Sequence, residues 1–295
     1  MTKAPIVIAV GSWRPTEQNN STEEQQRFTA IAEALGAAFY KKGAVLRVVW
    51  SNDHFLSQCS PLHDESNCMR IDSLENGLFH AKPENVRYTF PDTADYLVMK
   101  GYLEASQNSA PVEGAHVELL ISNEMWCGST KPKTVVWPRV AEHTIAGKTL
   151  EAFVNDGQIQ KIRLNDTKNG REYLRSLQVS DLALQKDVAI AFALGGGKAT
   201  EIFSNIADAK DILVPLPYCG SVAGARLKSY YEEKKEAWER LSFLFGKNLD
   251  TNYAELSTKD ALANLEAVVG RQFFRFNPLC PVKRIPPNNG INRAP

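Results

Sequence analysis

The sequence contains no long apolar run and no excess of either charge. No stretch approaches the roughly 18 consecutive apolar residues that a membrane-spanning helix needs. The 34 basic and 34 acidic residues give a formal net charge of zero, which argues against a nucleic-acid-binding protein that depends on a general positive field. The short apolar run at the amino terminus fits a first strand better than a signal peptide. We therefore expect a cytoplasmic protein with no membrane partner and no nucleic-acid partner.

Cysteine is scarce, and several well-known motifs are missing. The chain has five scattered cysteines, an odd number that fits reduced thiols. The tightest group, Cys59, His63 and Cys68, has no Cys-x-x-Cys pair, whereas structural zinc sites usually use four ligands in paired spacings. The sequence also lacks a P-loop, an HExxH motif and a GxGxxG fingerprint. It therefore predicts no metal site and no bound cofactor, and it does not support a standard nicotinamide-dinucleotide site.

The clearest pattern that is present covers residues 187–221. An unbroken apolar run at 188–194 indicates a buried strand, most often found in a parallel sheet. Three glycines, 195–197, follow it, and a helical pattern then begins near Thr200. A second apolar run at 212–216 closes the unit. The order of strand, glycine turn, helix and strand predicts a βαβ module.

A similar pattern lies at the amino terminus. The apolar run at 6–10 ends at Gly11-Ser12, a helical pattern follows and ends at Gly43, and residues 44–50 are again mostly apolar. Repeated units of this kind build parallel sheets with helices on their faces. We therefore predict an α/β fold, namely a Rossmann-like, mostly parallel sheet flanked by helices, with an inserted mixed region.

The domain boundaries follow from the less regular stretches. Residues 1–250 are interpreted as a single Rossmann-like domain with an insertion at about 52–165. Residues 251–295 are interpreted as a C-terminal helix and an extended arm, because the stretch 277–295 holds five prolines and no periodicity.

Within the insertion, the patterns predict strands that would lie antiparallel beside the main sheet. One strand is predicted at 115–121 and another at 148–154. A turn at 155–157 favours a hairpin that leads into a further strand at 158–164. Three more predicted elements are a strand at 133–140 and helices at 171–185 and 223–245.

The glycine turns that follow the predicted strands indicate an anion site. Glycine lets a ligand approach main-chain N–H groups, and a helix that begins there directs its free N–H groups and its dipole into the same space. Open α/β sheets bind ligands at the carboxyl ends of their strands. Arg14 could hold phosphate oxygens in bidentate fashion, although a solvated loop cation is an equal alternative. The glycines could instead serve only the packing of helix on strand.

The predicted ligand-binding residues share a position at or next to these turns. They are Gly11, Ser12, Arg14, Gly195, Gly196, Gly197, Lys198, Thr200, Gly220 and Ser221.

These motifs resemble those of the SLOG superfamily, which includes the Lonely Guy phosphoribohydrolases and nucleotide-sensing domains of bacterial anti-phage systems. The residues that carry the resemblance are 186–197, 198–201, 214–217, Gly220 and the early Gly11-Ser12. The resemblance covers roughly residues 5–50 and 170–245. It implies a Rossmann-like fold and a nucleotide-like small molecule as the ligand, and we also expect a homo-oligomer.

The sequence departs from the hydrolase motif, which reads Pro-Gly-Gly-x-Gly-Thr-x-x-Glu in that family. Gly195 and Ala199 stand in place of the proline and the last glycine, and Phe203 stands in place of the glutamate. The nearest carboxylate, Glu201, comes two residues early, which is about 200° around a helix. Glu201 can replace the missing acid only if it still lies in the turn rather than on the helix.

Three functions remain open from the sequence. The first is binding of a nucleotide or nucleotide-derived ligand, as in a sensor of anti-phage signalling. The alternative is an N-glycosidic hydrolase or transferase acting on a nucleotide, a nucleoside or NAD. In that case Glu201, or Glu124 at the end of the strand at 115–121, would stabilise an oxocarbenium-like transition state. The third is a structural protein that keeps the fold without a ligand.

Overall fold

The computed structural model describes residues 4–13, 22–49, 68–70, 79–81, 93–127, 140–164, 184–219, 221–245 and 252–274. The strands in chain order are β1 (Ile6–Ser12), β2 (Val45–Val49), β3 (Cys68–Arg70), β4 (Phe79–Ala81), β5 (Val117–Ser122), β6 (Thr144–Ile145), β7 (Lys148–Thr149), β8 (Ile159–Leu164), β9 (Val188–Gly195) and β10 (Leu213–Leu216). The helices are α1 (Thr22–Lys41), α2 (Ala94–Asn108), α3 (Asn123–Cys127), α4 (Leu150–Asn155), α5 (Lys198–Ala209), α6 (Ser221–Glu233), α7 (Lys235–Phe245) and α8 (Thr258–Phe274).

Six of the strands form one parallel sheet. Their order across the sheet is β10-β9-β1-β2-β5-β8, and every neighbouring pair runs parallel. Two further pairs, β3 with β4 and β6 with β7, form small antiparallel sheets of their own. A parallel sheet flanked by helices confirms the predicted α/β, Rossmann-like architecture.

The apolar runs in the sequence are explained by burial on both faces of this sheet. In β9 every residue except Ala189 is buried. In β1, Val7 and Ile8 are also almost completely buried. Helices cover both faces of a parallel sheet, so its strands have no solvated side and read as continuous hydrophobic segments.

The two halves of the sheet place their helices on opposite faces. The chain passes from β1 through α1 to β2, toward one edge of the sheet. It passes from β9 through α5 to β10 in the opposite direction, toward the other edge. Because such crossovers are right-handed, α1 and α5 lie on opposite faces of the sheet. α2 and α8 pack against α1, and the rings of Phe39 and Phe273 lie 6.0 Å apart between their centroids.

Several predictions for the middle region are wrong. The predicted strand at 148–154 is a two-residue strand followed by the helix α4. The predicted hairpin does not form, because the turn at 156–157 connects α4 to β8, and β8 pairs parallel with β5. Residues 158–164 therefore extend the main sheet instead of forming an antiparallel addition.

The stretch at about 52–165, for which an insertion is predicted, also contributes α2, β5 and β8 to the described core. The predicted helix at 223–245 is two helices, α6 and α7, separated at Lys234. The predicted helix at 171–185 and strand at 133–140 lie almost wholly outside the described residues. No helix in the described part of the chain is both long and apolar enough to cross a membrane.

Candidate functional site

Two of the predicted glycine turns follow strands that lie side by side. Gly11 is opposite Leu194 and Ser12 is opposite Gly195 in the pairing of β1 with β9. β10 continues the same edge, with Leu216 opposite Leu194. Since all three strands are parallel, their carboxyl ends meet at one edge of the sheet. The structure therefore brings Gly11-Ser12, the turn at 195–197 and the end of β10 together.

This edge includes the point where the order of the strands reverses. β1 continues to β2 in one direction, whereas β9, the other neighbour of β1, continues to β10 in the opposite direction. The helices that follow β1 and β9 lie on opposite faces of the sheet, an arrangement that in open α/β sheets opens a crevice at the strand ends. In open α/β sheets this reversal is the position at which ligands bind.

The amino end of α5 opens toward this edge. The first intrahelical hydrogen bond runs from the Glu201 N–H to the Gly197 carbonyl oxygen, at 3.0 Å. The N–H groups at the beginning of a helix have no intrahelical acceptor. Gly197, which precedes the helix, has no side chain to accept from them. These amides, together with the positive end of the helix dipole, form a group of donors suited to an anion.

The turn glycines are also required by the packing of the protein itself. A Cβ atom on Gly196, whose φ is +97°, would lie 2.2 Å from the Thr200 Oγ1 atom. A Cβ atom on Gly11, at φ +151°, would lie 1.8 Å from the Leu194 carbonyl oxygen. The Thr200 side chain that the Gly196 Cβ atom would meet is itself buried, at 5% exposed. Gly11 and Gly196 therefore have a structural role in addition to any contact with a ligand.

The helix settles the geometry of Glu201. α5 begins at Lys198, so Glu201 already has helical geometry and does not lie in the turn. Its side chain is exposed, whereas Phe203, which aligns with the glutamate of the SLOG hydrolase motif, is 5% exposed and packs in the core. Glu201 therefore does not occupy the position of the missing acid. It remains an exposed carboxylate in the first turn of the helix.

Glu124, the second candidate acid, is in α3, directly after β5. β5 is three strand positions from β9, which corresponds to about 14 Å at a spacing of about 4.8 Å between strands. The backbone topology therefore does not bring Glu124 and Glu201 to one point of the edge.

Some predicted residues fall outside what the structure describes. Arg14 and Gly220 lie outside the described residues. For four others only the backbone is described, which places each at the end of a strand or in the first turn of a helix. These four are Ser12, Glu124, Lys198 and Ser221.

Three groups at this edge carry no signal in the sequence pattern, namely Cys219, Arg27 and Glu24. The Cys219 thiol, three residues after β10, has its pKa raised to about 12 because it is buried. Arg27 lowers that pKa and Glu24 raises it, so both side chains of α1 lie near the thiol. A thiol with so high a pKa is a poor nucleophile.

Arg27 could not be found from sequence patterns because its partners are remote. Its Nη2 atom donates to the Tyr253 carbonyl oxygen at 2.9 Å, across 226 positions of sequence. Tyr253 in turn contacts the Tyr218 ring, with centroids 6.0 Å apart. Only the tertiary fold brings α1, the end of β10 and the segment 252–256 together.

The described residues contain no group of three or more histidine, cysteine, aspartate or glutamate side chains that could hold a metal ion. Cys59 and His63, from the cluster noted in the sequence, lie outside the described residues.

No model of a known protein family matches the chain, and no curated protein matches it.

Proposed function

We propose that the chain binds a nucleotide or a nucleotide-derived ligand at the carboxyl edge of the sheet, at the strand reversal between β1 and β9. The observation that carries the proposal is the register of those two strands, which places the turns after Gly11 and Gly195 side by side. The amino end of α5 adds main-chain N–H groups that have neither an intrahelical acceptor nor a side-chain cap from Gly197 at the same place. A phosphate group is the natural anion for such donors.

Membership of the SLOG superfamily, and with it a role as a cytoplasmic, homo-oligomeric sensor of anti-phage signalling, belongs to the same proposal. It is supported by the glycine-turn motif at 195–201 and by the Rossmann-like sheet that carries this motif. In such a sensor the bound nucleotide would alter contacts between copies of the chain.

Thermal shift with a panel of nucleotides tests the proposal. A ligand that binds only the folded chain stabilises it by RT ln(1 + [L]/Kd), so the midpoint rises with ligand concentration. The informative variant is Lys198→Glu, which places a negative charge beside the phosphate. An acidic residue is favourable in the first turn of a helix, so α5 should still form.

The matched control is Lys235→Glu, because Lys235 is likewise the first residue of its helix, α7, and is exposed. We expect the wild type and Lys235→Glu to show the same ligand-induced shift, and Lys198→Glu to show none. A panel in which no nucleotide raises the wild-type midpoint would reject the proposal. An undiminished shift in Lys198→Glu would reject the placement of the anion at α5.

The second candidate function is cleavage of an N-glycosidic bond. The observation in its favour is the exposed Glu201 carboxylate in the first turn of α5, at the same edge. Incubation with NAD and nucleoside monophosphates, followed by chromatography, separates the two functions because only the hydrolase releases free base. Binding is preferred here because Phe203 occupies the family's acid position.

A further inference from the structure

Arg27, on the second turn of α1, makes hydrogen bonds only to neutral groups in the described part of the chain. Its Nη1 and Nη2 atoms donate to the carbonyl oxygens of Ala254 and Tyr253, each at 2.9 Å. Its Nε atom is completely buried and has no acceptor among the described residues. A guanidinium carries five N–H donors in a rigid fork, so the charge and one side of this fork remain unmatched.

The other arginines that are at least partly buried are paired differently. Arg47 forms ion pairs with Glu118 and Asp187. Arg226 and Arg240 both form ion pairs with Asp208. Among the described residues, Arg27 is therefore the partly buried arginine that forms no ion pair with a carboxylate. A partly buried guanidinium that has no ion-pair partner keeps charge and donor capacity for a ligand, which makes this position suited to an anion from outside the chain.

Arg27 also lies where the ligand is expected. Its charge acts on the Cys219 thiol, which follows β10 at the carboxyl edge of the sheet. α1 is the helix that follows β1 in the chain, so its first turns lie at the same edge of the sheet, on the face opposite α5. A ligand that fills the crevice would meet main-chain donors on one face and a guanidinium on the other.

We propose that Arg27 is an anion-recognising residue of this site, and that it holds a phosphate of the bound nucleotide on the α1 side. This inference rests on the proposed function and adds that the α1 side of the site selects a phosphate group. A guanidinium and a phosphate form paired, charge-assisted hydrogen bonds. The nearby Glu24 carboxylate, three residues earlier on α1, disfavours a second negative charge at the same point and limits how much anionic charge the α1 side holds.

Calorimetric titration with ADP, with inorganic pyrophosphate as a competitor, tests this assignment. The Arg27→Gln variant removes the charge and retains an amide NH2 group that can donate to the carbonyl oxygens. Since a hydrogen bond to a charged group contributes about 1.5 to 3 kcal/mol, we expect ADP affinity to fall roughly 10- to 100-fold. Competition by pyrophosphate should weaken by a similar factor. Arg27→Lys, which keeps the charge without the fork, should give an intermediate loss.

The matched control is Arg271→Gln. The Arg271 Nη1 atom also donates to a carbonyl oxygen, that of Leu244, at 2.6 Å. This variant therefore repeats the chemical change at an exposed arginine of α8, and its ADP affinity should stay within about twofold of the wild type.

The outcomes separate the two proposals. If Lys198→Glu abolishes ADP binding while Arg27→Gln binds ADP and pyrophosphate like the wild type, Arg27 is not part of the site and the proposed function stands. If the wild type does not bind ADP, the assignment of Arg27 falls together with the nucleotide site. Loss of binding in Arg27→Gln is accepted as support only when Arg27→Lys, folded like the wild type, recovers part of it.

Discussion

Gly36 on α1 and Gly101 on α2 form a close crossing of the two helices. A Cβ atom on Gly36 would lie 1.9 Å from the Val98 carbonyl oxygen, and a Cβ atom on Gly101 would lie 2.0 Å from the Glu33 carbonyl oxygen. Each glycine therefore accommodates the backbone of the other helix. The Lys100 ammonium donates to the Glu33 carboxylate at 2.5 Å and ties the same two helices together.

Replacement of either glycine by alanine should destabilise the fold. The added methyl group meets backbone rather than a flexible side chain, so the helices must separate, and overpacking of this kind costs about 1 to 3 kcal/mol or more. Urea denaturation at neutral pH measures the change. The matched control is Gly270→Ala, because a Cβ atom on this glycine in α8 meets nothing within 4 Å. The control should gain about 0.5 to 1 kcal/mol from helix propensity. Equal stability of Gly36→Ala and the wild type would contradict the close crossing.

Arg47 joins three segments at the amino-terminal half of the sheet. Its guanidinium donates to both carboxylate oxygens of Asp187 at 3.0 and 2.9 Å, and to Glu118 at 2.8 Å. Burial by itself would lower the pKa of Arg47, but the hydrogen bonds to the two carboxylates raise it above its ordinary value.

Removal of this guanidinium should therefore be costly. We expect Arg47→Met to lose about 3 kcal/mol, because it leaves the partly buried Glu118 carboxylate, 14% exposed, without its partner. Asp187→Asn should lose less, about 1 kcal/mol, since Asp187 is 38% exposed. Denaturant unfolding measures both. Lys228→Met, in an exposed ion pair with Glu232, serves as the control and should change stability by less than about 0.5 kcal/mol. An Arg47→Met variant as stable as the wild type would show that apolar packing replaces the ion pairs.

The partly buried imidazole of His143 should make the free energy of unfolding decrease at acidic pH. Burial lowers the pKa of His143 from 6.5 to about 4. Between these values the unfolded chain binds a proton that the folded chain does not, so stability falls as the pH decreases from about 6.5 to about 4. The contribution is of the order of 3 kcal/mol at most. Comparison of urea midpoints across this range should show a shallower loss for His143→Gln than for the wild type.

The partner of His143 provides the control for that experiment. The Tyr96 hydroxyl lies 3.0 Å from the His143 Nε2 atom, but burial alone is the cause of the lowered pKa. We therefore expect Tyr96→Phe, which keeps the ring, to retain the acid dependence. Loss of that dependence in Tyr96→Phe would assign it to the hydrogen bond instead.

The role of Glu201 can be separated from binding. If the chain only binds a nucleotide, Glu201→Gln should retain the thermal shift, because an exposed carboxylate in the first turn of α5 repels rather than holds a phosphate. Removal of its charge should leave the affinity equal or improve it by a few fold. If the chain cleaves an N-glycosidic bond, the same variant should lose release of free base. Thermal shift and chromatography on the same preparation distinguish these results.

The sequence predicted most of the central module because its signals are local. The apolar run of β9, the glycines after it and the helical spacing of α5 each lie within one segment. The hairpin at 155–164 was wrong for the opposite reason. A turn signal fits both a hairpin and a helix-to-strand connection, and only the pairing partner of β8 distinguishes them.

The sequence by itself determined the strands of the two βαβ units and which turns bear glycine, since periodicity and the conformational freedom of glycine depend on neighbouring residues. Tertiary structure decided which strand ends meet and that Glu201 lies on the helix rather than in the turn. It also decided that Arg27 reaches the segment 252–256. These relationships join residues up to 226 positions apart. They depend on strand order and helix packing, which the whole chain sets through burial of its common core rather than through any local pattern.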